Sequence, residues 1–164
     1  MPSRRKTREF VLQVLFAADA RKEDPAETLQ FLESHFSSDP DQVLKMDRVM
    51  GDFARDLVRA VAKDREVIDK LIAKLSVNWK LYRMNRVDRN ILRMAIAEMI
   101  NFSGTPDPVI LNEAIDIGKK YGAENSAAFI NGILDQIHRL KSRPVSRDQL
   151  YDTLMSLDEL ETTD

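Results

Sequence analysis

Cysteine is absent from the 164 residues, which excludes disulfides, thiolate zinc sites, iron–sulfur clusters and cysteine nucleophiles. Glycine and proline are scarce, at 5 and 6. No proline falls between Pro40 and Pro106, which leaves room for long helices. No apolar run approaches the roughly 18 residues of a membrane span. The basic start lacks the apolar stretch of a secretory signal, so the cytoplasm is the expected compartment. Only two histidines occur, His35 and His138, and neither stands in an H-x-x-x-H pair. His138 is expected at the surface or at a helix end. P-loop, G-x-G-x-x-G and G-x-S-x-G motifs are missing. Neither catalysis nor a metal or cofactor is expected.

What is present is helical periodicity. Hydrophobic residues make up 43% and charged residues 32%, a composition that suits a globular chain. Phe10, Val11, Val14, Leu15 and Ala18 form one apolar stripe. Met46, Met50, Phe53, Leu57 and Val61 form a second, and Val67, Ile68, Leu71, Ile72 and Leu75 a third. Further stripes run from Ile91 to Ile100, from Ile110 to Tyr121 and from Ile130 to Ile137. No segment alternates with period two. The pattern predicts an all-α chain of about seven helices, at roughly 4–20, 26–36, 41–63, 65–83, 88–103, 108–121 and 126–141. An eighth, at roughly 147–160, extends the series. Asp24, Asp39 and Asp107 each precede a proline and read as N-caps, and Gly122 reads as a helix end.

Charge is uneven although the net charge is only −2. Arg4, Arg5, Lys6 and Arg8 crowd a start that reads as exposed and frayed. Lys80, Arg83, Arg86, Arg89 and Arg93 follow later, against Asp88. Residues 145–164 set Arg147 against six acids, a net −5. A near-neutral body argues against binding nucleic acid over the whole surface, but a local basic patch suits a polyanion. Cations beside aromatic rings are the ingredients of single-stranded RNA recognition. One such set is Arg4, Arg5, Lys6 and Arg8 with Phe16. Another is Lys119, Lys120, Tyr121, Asn125 and Phe129. The plainer alternative puts Phe16 and Phe129 in the core and makes Asn125 the N-cap of the helix from Ser126. Asn131 is expected as a buried hydrogen-bonding group, with Asn112 and Glu113 left open between that role and ligand contact.

The order of residues is more specific than the composition. Val87-Asp88-Arg89 leads into Ile91-Leu92-Arg93, Ala95 and Glu98-Met99. Asn112-Glu113-Ala114-Ile115 and Lys119-Lys120-Tyr121-Gly122 follow, then Phe129-Ile130-Asn131-Gly132-Ile133-Leu134-Asp135. With the arginine-rich start and Asn78-Trp79, this series resembles the NusB family in register from residue 3 to about 140. The resemblance implies two small helical bundles packed together. It implies an adaptor that pairs with NusE, a protein of the small ribosomal subunit. The pair would bind boxA-type RNA in nascent transcripts, notably of ribosomal RNA operons, and suppress termination within an RNA polymerase complex. Arg4, Arg5, Lys6, Arg8, Phe16, Asn125 and Phe129 match the RNA-facing positions. Asp88, Arg89 and Ile91 lie on the helix that matches the NusE-facing surface, with Asp88 as its acidic contact. Phe16 stands where tyrosine is frequent, and Ala97 where many members carry an aromatic.

Two alternatives belong to other classes: a helical module that recruits an rRNA-modifying or processing enzyme, and a protein–protein scaffold without RNA. NusB-like domains of rRNA cytosine methyltransferases continue into a Rossmann-type domain, for which 164 residues leave no room. A homodimer that covers the RNA surface is compatible with an unpartnered adaptor. Residues 1–144 are expected to form the helical unit and 145–164 an acidic extension. Ser146 with Gln149, and Leu150, Leu154, Leu157 and Leu160, suit an amphipathic helix there. That helix either screens the basic head or is a solubilising appendage.

Overall fold

Asp24 and Pro25 show how the sequence sets a boundary. The Asp24 carboxylate accepts the Ala26 N–H at 2.7 Å, and Pro25 opens the helix where an amide hydrogen is dispensable. The computed structural model describes residues 4–36, 48–76, 83–141 and 152. Six helices run through them: α1 (Arg4–Arg21), α2 (Pro25–Phe36), α3 (Arg48–Leu75), α4 (Arg86–Asn101), α5 (Asp107–Tyr121) and α6 (Ser126–Lys141). Every regular element among the described residues is a helix. The eighth helix expected near 147–160 and the Asp39 cap lie outside them, apart from helical Asp152.

The apolar stripes become buried faces. Val11, Val14, Leu15 and Ala18 carry α1 into the core, and α1 stops at Lys22, whose φ of 54° is left-handed. One correction concerns α3. The sequence pattern divided it near residue 64, yet α3 is a single helix of 28 residues, about 42 Å long. Lys63-Asp64-Arg65-Glu66 holds no glycine or proline to stop a helix. Asp64 is itself buried within the stripe that joins Val61 to Ile68, and its carboxylate accepts from Asn101 Nδ2 at 3.4 Å. A polar residue in an apolar row imitated a break.

α1, α2 and α3 pack together, as do α4, α5 and α6, and α4 lies at the centre against α1, α3, α5 and α6. The two expected bundles thus share one hydrophobic core. Helix α4 is buried on every side from Asp88 to Met99, charged residues included. Asn85 caps it by accepting the Val87 N–H at 2.8 Å. Arg8 of α1 reaches Glu98 of α4 with two hydrogen bonds, at 2.9 and 2.5 Å, and both side chains are sealed from water. Helices α5 and α6 approach closely at Gly118 and Gly122. A Cβ on Gly118 would lie 2.8 Å from the Ile130 side chain, and one on Gly122 would collide with Ser126 Oγ. Gly122 ends α5 as expected, and it needs that room although its φ is negative. Asp107 is the first residue of α5 rather than its cap, because its carboxylate is held by His138 at 3.1 Å and Lys141 at 2.7 Å. His138 stands half exposed near the end of α6, and the side chain of His35 is outside the described set.

Candidate nucleic-acid interface

The basic start is ordered differently from its sequence pattern. Arg4 and Lys6 are exposed, but Arg8 is 3% exposed and committed to Glu98. Arg8 is therefore withdrawn from the RNA-facing set. Its charge is conspicuous in sequence, while its burial depends on a partner 90 residues away. From Arg4 onward the basic run is helical and tied to the body rather than frayed. Arg4 stacks over the Phe53 ring at 4.8 Å and donates to Thr105 at 3.3 Å. Arg5 ties α1 to α5 through Glu113 at 2.7 Å and Asp116 at 2.6 Å. Glu113 thereby serves an ion pair, and Asn112 is exposed. Asn131, expected in the interior, is exposed on α6 because its position faces away from the Ile130–Ile133–Leu134 row.

The second candidate set lies beside the first. Glu9 of α1 accepts from Lys120 at 3.1 Å and from the Tyr121 hydroxyl at 3.1 Å, which draws the end of α5 against α1. The bond to Glu9, joined by Tyr121, holds the Lys120 ammonium above its ordinary range. Lys119 is exposed with no ion pair among the described residues. Past Gly122, the chain borders a cavity of about 540 Å³ whose walls include Asn85, Asp88, Asn125, Ser126 and Phe129, with Arg83 and Arg86 also lining it.

Local hydrogen bonding leaves this cavity unsatisfied. Ser126, and not Asn125, turns back to close the bend, its Oγ accepting from Ala123 N–H at 2.8 Å. Only the backbone of Asn125 is engaged, its carbonyl accepting from Phe129 N–H at 3.1 Å. The expected side-chain cap is thus absent among the described residues, and the exposed Asn125 amide stays open to a ligand. Phe129 is half-buried, packed against the core while lining the cavity. Asp88 is 7% exposed and its Oδ1 has no hydrogen-bond partner among the described residues. Burial pushes its carboxyl above the usual range, opposed by a hydrogen bond with Ser126.

Phe16 is exposed rather than in the core, with the Arg86 guanidinium 5.7 Å from its ring centre. Arg86 therefore joins Phe16 to the cavity beside Phe129. Behind it lies a hub that the sequence did not reveal. Asp19 accepts from Arg89 at 2.6 Å and from Asn90 at 3.0 Å, and stands 3.2 Å from Arg93. Burial raises its carboxyl pKa, but these hydrogen bonds and the Arg93 and Arg89 charges outweigh burial and hold it below the usual range. Arg89 is thus occupied by Asp19, and Ile91 is fully buried in the core. Ile91 presents no surface to a partner, which corrects its expected role. The run of cations from Arg83 to Arg93 was the available signal for Arg86. Nothing in the spacing pointed to Asp19 as their shared acceptor.

The NusB family model matches residues 5–139. A transcription antitermination protein NusB from Desulforapulum autotrophicum is 43% identical over 142 residues, 87% of this chain and 95% of the relative. Another from Citrifermentans bemidjiense is 41% identical over 137 residues, 84% and 94% of the two chains. Among solved structures, T. maritima NusB matches with a TM-score of 0.72 at 35% identity, covering 84% of this chain and 92% of that one. A crystal structure of antitermination factors NusB and NusE in complex with dsRNA matches with a TM-score of 0.68 at 27% identity, covering 83% and 96%. The chain belongs to the NusB family.

Proposed function

We propose that this chain is a non-catalytic, cytoplasmic antitermination adaptor that binds single-stranded, boxA-like RNA together with NusE and carries it to transcribing RNA polymerase. The carrying observation is the run of exposed cations and rings from the α1 start, past Lys119–Tyr121, to the Asn125–Phe129 cavity. Cations hold phosphates there, and rings accept splayed bases. Family membership and the NusB–NusE complex with dsRNA support the same reading. Arg4, Arg5, Lys6, Lys119 and Lys120 are assigned to phosphates, and Phe16, Tyr121, Asn125 and Phe129 to bases. Asp88, with its unpaired oxygen, is assigned to a donor of NusE. Residues 1–144 are taken as the working unit and 145–164 as an acidic extension.

The test is binding to boxA-like RNA with and without NusE, over a range of salt. For about 3–5 phosphate contacts to a single strand, the log–log slope should lie near −2 to −3.5. Replacing Arg4 and Lys6 by Ala should flatten it. Binding that ignores both RNA sequence and NusE would sink the proposal.

A further inference from the structure

The Asp19 hub has more cations than it can satisfy. Four guanidinium groups, of Arg65, Arg86, Arg89 and Arg93, stand within 4 Å of its carboxylate. Arg89 and Asn90 take its hydrogen-bonding capacity at Oδ2, and Arg93 is fixed by two bonds to Asp69, at 2.7 and 2.9 Å. Arg65 and Arg86 remain at the rim. Each lies 3.9 Å from an Asp19 oxygen, beyond hydrogen-bond reach, and Arg65 is also 3.9 Å from Asp69. Neither guanidinium donates a hydrogen bond among the described residues, and the side chains are 34% and 45% exposed. Two guanidinium forks with open donors thus converge on one spot, backed by two more buried cations. A carboxylate already shared cannot neutralise them.

We propose that Arg65 and Arg86 form a phosphate clamp for an RNA strand that passes between the Phe129 cavity and Phe16. This rests on the RNA-binding function proposed above and extends the binding path to residues outside that assignment. Guanidinium forks match the oxygens of a phosphodiester, and excess positive charge at a partly buried hub is weakly screened. Arg86 also lies over the exposed Phe16 ring, which a base can extend into a stack. An acidic peptide would use the cations but not the ring. The ring beside the clamp, and the second ring across Arg86, therefore favour nucleic acid.

The experiment uses the full chain and a short single-stranded RNA carrying 2-aminopurine. Affinity is measured over a salt series for the parent and for Arg65→Gln/Arg86→Gln. The double variant should weaken binding roughly tenfold and flatten the log–log slope by about 1.4, for two lost phosphate contacts. Arg86→Lys should restore much of the slope but not the 2-aminopurine quenching, because an ammonium lacks the planar face. Should the double variant lose helical structure, Arg86→Gln alone should flatten the slope by about 0.7. An unchanged slope and affinity in a folded variant overturns the clamp and leaves the adaptor function standing. A parent that binds no RNA overturns both. Loss of NusE binding with RNA affinity intact assigns the patch to protein and likewise overturns the clamp.

Discussion

Asp88 and Asp19 are acids on facing helices with opposite responses to burial. Burial raises the Asp88 carboxyl pKa, and its single bond to Ser126 offsets this incompletely. An acid raised in the folded state costs stability when ionised, above its folded pKa. That cost disappears as pH falls below the unfolded value. Asp88→Asn should therefore preserve stability at pH 7 or raise it by about 1 kcal/mol, and the difference should fade toward pH 4. Thermal melts over pH check this, and NusE binding should weaken in the same variant. A stability loss that matched the binding loss would favour a structural role for Asp88. Asp19 behaves the other way: its depressed carboxyl supplies stability above the unfolded value, lost as pH falls through the folded one. At this scale the sequence displayed charge without burial. Arg4 and Arg8 look alike in one basic run, yet one is exposed and the other is sealed against Glu98. Phe16 and Phe129 were ambiguous for the same reason, since a helical aromatic faces whichever side its neighbours leave open.

Helices were the most legible elements. Their 3.6-residue stripes depend on local spacing, and α1, α2, α5 and α6 fall within two residues of the pattern's bounds. The division of α3 failed because hydrophobicity measures the residue, while Asp64 is buried by its partner Asn101. The contact between α5 and α6 was only half legible: Gly122 announced an end, but its closeness to Ser126 needs both helices in place. Gly122→Ala should cost about 1–3 kcal/mol, since the new methyl meets Ser126 and the Gly118 carbonyl. Gly132→Ala, in the same region but with nothing within 4 Å, should gain about 0.5–1 kcal/mol. Chemical denaturation of the two variants, one on each side of the parent, measures the contrast. The Ser126 displacement should also disturb the cavity that Asp88 shares.

At the scale of the molecule, the resemblance carried more than composition could. Pairing between helices rests on contacts such as Arg5 with Glu113 and Arg93 with Asp69, whose partners are distant in sequence. The interface was legible in its rings and cations, but the position of Arg86 between Phe16 and the cavity was not. Helix α4, enclosed by four neighbours, has a consequence for exchange with solvent. Its mid-helix amides have no local route to water, so they trade hydrogen for deuterium only when the whole fold opens. Helix α2, packed mainly on α1 and α3, can open by itself and should exchange sooner. RNA that binds only the folded form lowers the open population by the factor of its saturation. At about 100 times Kd, deuterium uptake along α4 should slow about a hundredfold, even though RNA never touches that helix's buried centre.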